Sequence, residues 1–251
     1  MTNMENVDAV IDGAKISALK GEDLPIVYIH GSGCDASIWM NQLEELGGYA
    51  VDLPNHGKSC FAEIRSVDDY AYFVAKFVKK ILGKAIIIGH SLGGAIVQKI
   101  CIEYGDIVKA VGLISTGARL RVLPEILQGL EKNPDETSKI ISEFSFLDST
   151  LKKKYSKIFA ERNKILLKDL MLCDKFDLLD KYRNNEIKIL CPTVIVVGRY
   201  DKLTPPKYSQ FLNERIKSSE IYIVDNAGHM VMLEKPVEFN RILKNFIERL
   251  V

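Results

Sequence analysis

A serine stands in the run Gly89-His90-Ser91-Leu92-Gly93-Gly94, between the apolar β-branched stretch Ala85-Ile86-Ile87-Ile88 and the helix-like Ala95-Ile96-Val97-Gln98-Lys99-Ile100. A hydroxyl held on a strand-to-helix turn can attack a carbonyl. Such a turn forces the backbone into a cramped conformation, so the residues two before and two after it must lack side chains that would collide across the bend. Gly89 and Gly93 meet that demand. The helix that follows turns unpaired backbone N–H groups toward the same point, where an oxyanion would develop. Gly-x-Ser-x-Gly also arises in ordinary glycine-rich loops, and the flanking buried strand and helix are the context that marks this one as a nucleophile elbow.

A serine hydroxyl is a poor nucleophile at neutral pH unless an imidazole takes its proton, and the imidazole works best when a carboxylate fixes its tautomer. The chain holds 4 histidines. His30 opens the loop after Ile26-Val27-Tyr28-Ile29, His56 lies in Asn55-His56-Gly57-Lys58-Ser59, and His90 is part of the elbow. His229, in Asn226-Ala227-Gly228-His229-Met230 directly after the last predicted strand, is the candidate base. For the carboxylate, Asp201 in Gly198-Arg199-Tyr200-Asp201-Lys202-Leu203-Thr204-Pro205 follows a predicted strand, although Asp-x-x-Thr-Pro suits a turn or helix cap equally well. Asp225 is the rival, and Asp201 is preferred for its position. The oxyanion donors expected are the backbone N–H groups of Leu92 and of Ser32, the latter in the glycine-containing loop His30-Gly31-Ser32-Gly33.

The elements that must carry these residues show in the hydrophobic pattern. Short β-branched runs at Ile26–Ile29, Tyr49–Asp52, Ala85–Ile88, Ala110–Ile114, Thr193–Val197 and Ile221–Val224 alternate with helical stretches, which predicts a parallel sheet with crossover helices. Asn6–Lys20, broken at Asp12-Gly13, reads as an antiparallel hairpin at the start of that sheet. Between Ser115 and Cys191 the strand signal vanishes and helical periodicity takes over. The expected organisation is a core of residues 1–115 and 192–251, with residues 116–191 inserted as a helical cap over the carboxyl edge of the sheet, where open α/β folds bind ligands.

At 251 residues the chain can bury a core without staples. Its 34 Lys and Arg against 33 Asp and Glu leave no electrostatic footprint for nucleic acid, which points to a small, weakly charged substrate. The 5 cysteines form no Cys-x-x-Cys pair and read as reduced thiols. No signal-peptide pattern and no bilayer-length apolar run is visible, so the sequence reads as cytoplasmic, without stable membrane insertion. Lys152-Lys153-Lys154 reads as a solvated helix face rather than a lipid contact.

Taken with His30-Gly31-Ser32-Gly33 and Trp39, Asp52-Leu53-Pro54-Asn55-His56-Gly57-Lys58-Ser59, the elbow, Cys191-Pro192-Thr193 and Gly228-His229-Met230 with Glu234-Lys235-Pro236, the chain resembles the α/β-hydrolase superfamily, in particular its capped esterases and carbon–carbon hydrolases. The order Ser91, Asp201, His229 is that superfamily's. The resemblance implies an eight-stranded, mostly parallel sheet and no cofactor. Asn55 stands where the family often has glycine. Ser91 rather than aspartate at the elbow excludes the haloalkane dehalogenases and epoxide hydrolases of this fold, whereas cofactor-free dioxygenases and perhydrolase-like members are not excluded by motif. The activity expected is hydrolysis of a small carboxylic ester through an acyl-enzyme. A carbon–carbon hydrolase of a diketone and a ligand receptor on the same fold are the alternatives. Phe144, Phe146, Phe159, Leu166, Leu167, Met171 and Phe176 offer apolar lining for the acyl group, though helical spacing reads first as packing.

Overall fold

A computed structural model describes residues 4–250. Eight strands form one sheet: β1 (Glu5–Ile11), β2 (Ala14–Lys20), β3 (Ile26–Ile29), β4 (Tyr49–Val51), β5 (Ala85–His90), β6 (Val108–Ile114), β7 (Thr193–Gly198) and β8 (Ser219–Val224). Their order across the sheet is β1-β2-β4-β3-β5-β6-β7-β8. The pairs β1·β2 and β2·β4 are antiparallel and the remaining neighbours parallel. This is the α/β-hydrolase sheet the resemblance implied.

Burial explains why the central strands read so clearly. β5 is buried at every position, because helices cover both faces of a parallel sheet, and its sequence from Ala85 to Gly89 is accordingly an unbroken apolar run. β1 lies at the edge and alternates toward its buried end, a fainter pattern. Its turn at Asp12 and Gly13 takes φ of 48° and 83°, the paired positive values a two-residue hairpin needs. The run read as a strand through Asp52 stops at Val51. There the Asp52 carboxylate leaves the sheet to accept the amides of Ala36 and Lys58, each at 2.8 Å.

The helices are α1 (Met40–Leu46), α2 (Val67–Ile81), α3 (Leu92–Glu103), α4 (Pro124–Lys132), α5 (Pro134–Ser145), α6 (Ser149–Glu161), α7 (Asn163–Lys175), α8 (Leu179–Arg183), α9 (Pro206–Arg215), α10 (Val231–Glu234) and α11 (Pro236–Glu248). α2 begins with a capping box: Ser66 Oγ accepts the Asp69 amide and the Asp69 carboxylate accepts the Ser66 amide. One apolar cluster packs α2 and α3 on one face of the sheet, and a second packs α1 and α11 on the other. Trp39 is fully buried in the second, 5.3 Å from the ring of Tyr28, and serves packing.

Among the described residues, α4 to α8 all lie between β6 and β7. α5 and α6 form a close pair, and α7 touches both α4 and α3. No helix among the described residues is long and apolar enough to cross a membrane. The loops that follow β3, β5, β7 and β8 gather at the carboxyl edge of the sheet, beneath α5 and α7, and carry Ser32, Ser91, Asp201 and His229.

Candidate active site

Ser91 sits between β5 and α3 at φ 54° and ψ −113°, outside the region an L-residue prefers. The conformation is held from both sides: the Ser91 amide donates to Ile114 O at 2.9 Å, and Ser91 O accepts from Thr116 Oγ1 at 2.9 Å. A Cβ on Gly89 would run into the Gly93 carbonyl, and one on Gly93 into the Ile29 carbonyl. Both glycines are therefore steric requirements of the turn.

His229 and Asp201 meet. His229 Nδ1 lies 2.9 Å from Asp201 Oδ2 and 3.2 Å from Thr204 Oγ1, and both side chains are buried. Because a carboxylate only accepts, the imidazole must carry its proton on Nδ1, which leaves Nε2 free to act as a base. Asp201 is held in turn. Its Oδ1 accepts the amides of Leu203 at 2.9 Å and Thr204 at 2.8 Å, and its Oδ2 accepts the Thr204 hydroxyl at 2.8 Å. One carboxylate thus caps its own turn and contacts the His229 ring. Asp225, the rival, is exposed and pairs with Arg199. The bridging Thr204 was visible only as part of the turn motif.

The loop after β3 supplies Ser32. The Gly33 amide is committed to Asp169 Oδ2 at 2.9 Å. By contrast, neither the Ser32 amide nor the Leu92 amide is taken by another acceptor among the described residues.

His30 and His90 contact backbone groups. His30 donates from Nδ1 to Gly31 O at 2.9 Å and accepts the Leu53 amide on Nε2 at 3.1 Å, so it is neutral. Burial, reinforced by the neighbouring His56, pushes its pKa down to about 3. His90 Nε2 donates to the His229 carbonyl at 3.1 Å, and burial likewise pushes its pKa well down. The loop of His229 is tied further: its amide donates to Ser145 O at 2.9 Å, and Gly228 N donates to Glu234 Oε2 at 2.6 Å. Asn55 takes φ 71°, which glycine would adopt freely, and offsets that by exchanging hydrogen bonds with Ala62 at 2.9 and 3.1 Å.

Ser91 and His229 line a cavity of about 260 Å³ whose wall is largely apolar, with Leu120, Ile126, Ile141, Phe144 and Leu170 among its residues. A second compartment of about 50 Å³ reaches Ser32, Phe159 and Leu166 and shares Ser91 and His229 with the first. Of the side chains offered as lining, Phe144, Phe159 and Leu166 do reach a compartment, whereas Phe146 and Phe176 pack in the core. Much of the remaining wall comes from the connection at Leu120 to Leu123, which carries no periodic signal.

Over 98% of its length the chain matches 98% of a solved structure described as a thermophilic esterase, with 48% identity and a TM-score of 0.96. It is 26% identical, over 89% of its length and 76% of the relative's, to a pimeloyl-[acyl-carrier protein] methyl ester esterase of Neisseria meningitidis. It is 27% identical, over 90% and 89%, to a 2-hydroxy-6-oxononadienedioate/2-hydroxy-6-oxononatrienedioate hydrolase of Pseudomonas sp.. The sequence pattern of the Alpha/beta hydrolase family matches residues 26–242, from the first parallel strand into α11, and the chain belongs to that family.

Proposed function

We propose that this chain is a serine esterase that cleaves a small carboxylic ester through an acyl-enzyme. The observation that carries the reading is the hydrogen bond from His229 Nδ1 to Asp201 Oδ2 at 2.9 Å, in a cavity that also holds Ser91 on its strained turn. In this mechanism Ser91 Oγ attacks the carbonyl carbon while His229 Nε2 takes its proton. Asp201 stabilises the imidazolium, and the amides of Ser32 and Leu92 hold the oxyanion at the head of α3. His229 then returns the proton to the leaving alcohol. A water molecule repeats the sequence on the acyl-enzyme and releases the acid.

The likeness to esterases supports ester chemistry. The apolar wall and modest volume of the cavity favour an acyl chain of short to medium length, roofed by α4, α5 and α7. Hydrolysis of p-nitrophenyl esters of increasing acyl length by the unmodified protein and by Ser91→Ala tests the proposal. Turnover with a length optimum, reduced on the order of 10⁴- to 10⁶-fold in the variant, is the expected result. Near-native turnover without Ser91 refutes it, and no turnover at any length moves the assignment to a carbon–carbon hydrolase or a receptor.

A further inference from the structure

Asp169 lies in the middle of α7 and is fully buried. Its Oδ2 accepts the Gly33 amide at 2.9 Å and His56 Nε2 at 2.9 Å, and its Oδ1 accepts the Tyr70 hydroxyl at 2.8 Å. His56 Nδ1 faces Pro54 O at 2.9 Å. Both ring nitrogens of His56 therefore face acceptors, so both carry protons and the ring is an imidazolium. Burial opposes that charge, but the Asp169 carboxylate outweighs it and holds the His56 pKa above the ordinary value. The result is a closed ion pair inside the protein, with the backbone of the oxyanion loop as its third member. A partner removed from such a pair strands a buried charge, so the arrangement is strongly specified.

The grip extends along one face of the helix. Arg162, at the head of α7, donates to Asp35 at 2.6 Å. Leu166 lies so close to Gly33 that a Cβ there would sit 2.9 Å from Leu166 Cδ1. Asp169 takes the Gly33 amide, and Cys173 Sγ is 3.5 Å from Ser32 Oγ. Positions 162, 166, 169 and 173 recur at helical spacing, and they meet the loop in reverse order, from Asp35 back to Ser32. Gly33, at φ 65°, bends the chain so that its own N–H points to Asp169.

We propose that Asp169 is a positioning residue for acyl transfer: by clamping the Gly33 amide it sets the Ser32 amide over Ser91, so that α7 is part of the scaffold of the oxyanion hole. This rests on the serine-esterase reading above. Asp169 touches no substrate. It acts through the peptide next to the donor.

The test compares the unmodified enzyme with Asp169→Asn and Tyr70→Phe. Three quantities are measured: kcat, KM for the best p-nitrophenyl ester, and affinity for a trifluoromethyl ketone, whose adduct with a serine carries an oxyanion. Asp169→Asn keeps the volume but offers no charge to the His56 imidazolium and one acceptor fewer. It is expected to lower kcat about 10- to 100-fold, below the 10²- to 10³-fold of deleting an oxyanion donor outright. KM should change less than threefold, and ketone affinity should fall by the same factor as kcat/KM. Tyr70→Phe removes only the Oδ1 contact and should leave kcat within threefold. A kcat within threefold in Asp169→Asn overturns the proposal, as does an equal loss in both variants. If Asp169→Asn does not fold, exchange of the glycine-labelled Gly33 amide in the unmodified protein decides instead: slow exchange supports the clamp and fast exchange overturns it. Ser91→Ala run alongside separates the two readings, because serine-independent turnover refutes the esterase while leaving the Gly33 exchange result standing.

Discussion

Replacing Asp201 by asparagine tests whether this carboxylate orients the base, because its surroundings dictate how the new amide must lie. Oδ1 accepts two backbone N–H groups, from Leu203 and Thr204. An asparagine must keep its carbonyl oxygen there, since the NH₂ group would otherwise face two donors. That orientation places NH₂ where Oδ2 now receives His229 Nδ1 at 2.9 Å. Two donors would then face each other, and the imidazole escapes by moving its proton to Nε2, which disables it as a base toward Ser91. The same change in a serine-protease triad leaves the geometry intact and lowers turnover about 10⁴-fold, equivalent to about 5 kcal/mol of transition-state stabilisation. We expect a loss of that order in kcat for Asp201→Asn, with KM within about threefold. The capped turn survives, so the thermal midpoint should stay within about 4 °C. The assay is steady-state ester hydrolysis at neutral pH beside a thermal melt. A kcat within tenfold of the unmodified protein would refute the argument that the Leu203 and Thr204 amides fix the tautomer of His229.

Thr204→Val removes the hydroxyl that donates to Asp201 Oδ2 but retains the Thr204 amide; one hydrogen bond of about 1 kcal/mol translates into a roughly fivefold fall in kcat, and an unchanged kcat would show the bridge to be idle. Gly93→Ala drives a methyl group into the Ile29 carbonyl and should cost at least about 2 kcal/mol, read as a lower urea midpoint; an unchanged midpoint contradicts the steric account of the elbow. Acid stability carries a sign that can be checked. His30 has its folded pKa depressed to about 3, so below its unfolded value of about 6.5 the unfolded chain binds the proton first. Stability attributable to His30 therefore falls with pH, by about 2 to 3 kcal/mol between pH 6.5 and 4.5, and His30→Gln should show a shallower decline in urea titrations over that window. His56 works in the opposite sense, since its raised pKa contributes stability that is complete below about 6.5 and lost as pH rises through the folded value. Parallel pH slopes for His30→Gln and the unmodified protein would remove the His30 account.

The parts of the fold that were legible are those where one cause acts alone. β5, β7 and the Ala110–Ile114 part of β6 are covered on both faces, so burial writes itself as a nearly continuous apolar run. The elbow was legible because Gly89 and Gly93 answer a steric demand that few other sites make. Asp201 was harder, since a turn cap and a carboxylate facing an imidazole want the same residue at the same place, and one side chain here makes both sets of contacts. Asp169 was missed because it follows Lys168 in a lysine-rich helix, where a carboxylate reads as part of a solvated face. A signal was present nonetheless. Asp169 falls three residues after Leu166 and four before Cys173, inside the apolar stripe of α7, where a carboxylate needs a partner. The cavity wall at Leu120 to Leu123 had no signal at all, because an irregular connection has no period to betray which side faces the site.

The bond from the His229 amide to the Ser145 carbonyl bears on engineering. Lids of hydrolases invite exchange, as though a hinged cover could be swapped while the machinery beneath stayed as it was. Here the His229 loop hangs from the end of α5, and the Ser32–Gly33 loop hangs from the middle of α7. A chimera that imports a foreign stretch between β6 and β7 would inherit a new specificity only if the graft also presents a carbonyl where Ser145 offers one and a buried anion where Asp169 stands. The segment between β6 and β7 and the two loops it holds are one inheritance unit, and substrate range in this chain should shift more safely through point changes in the cavity wall than through transplantation.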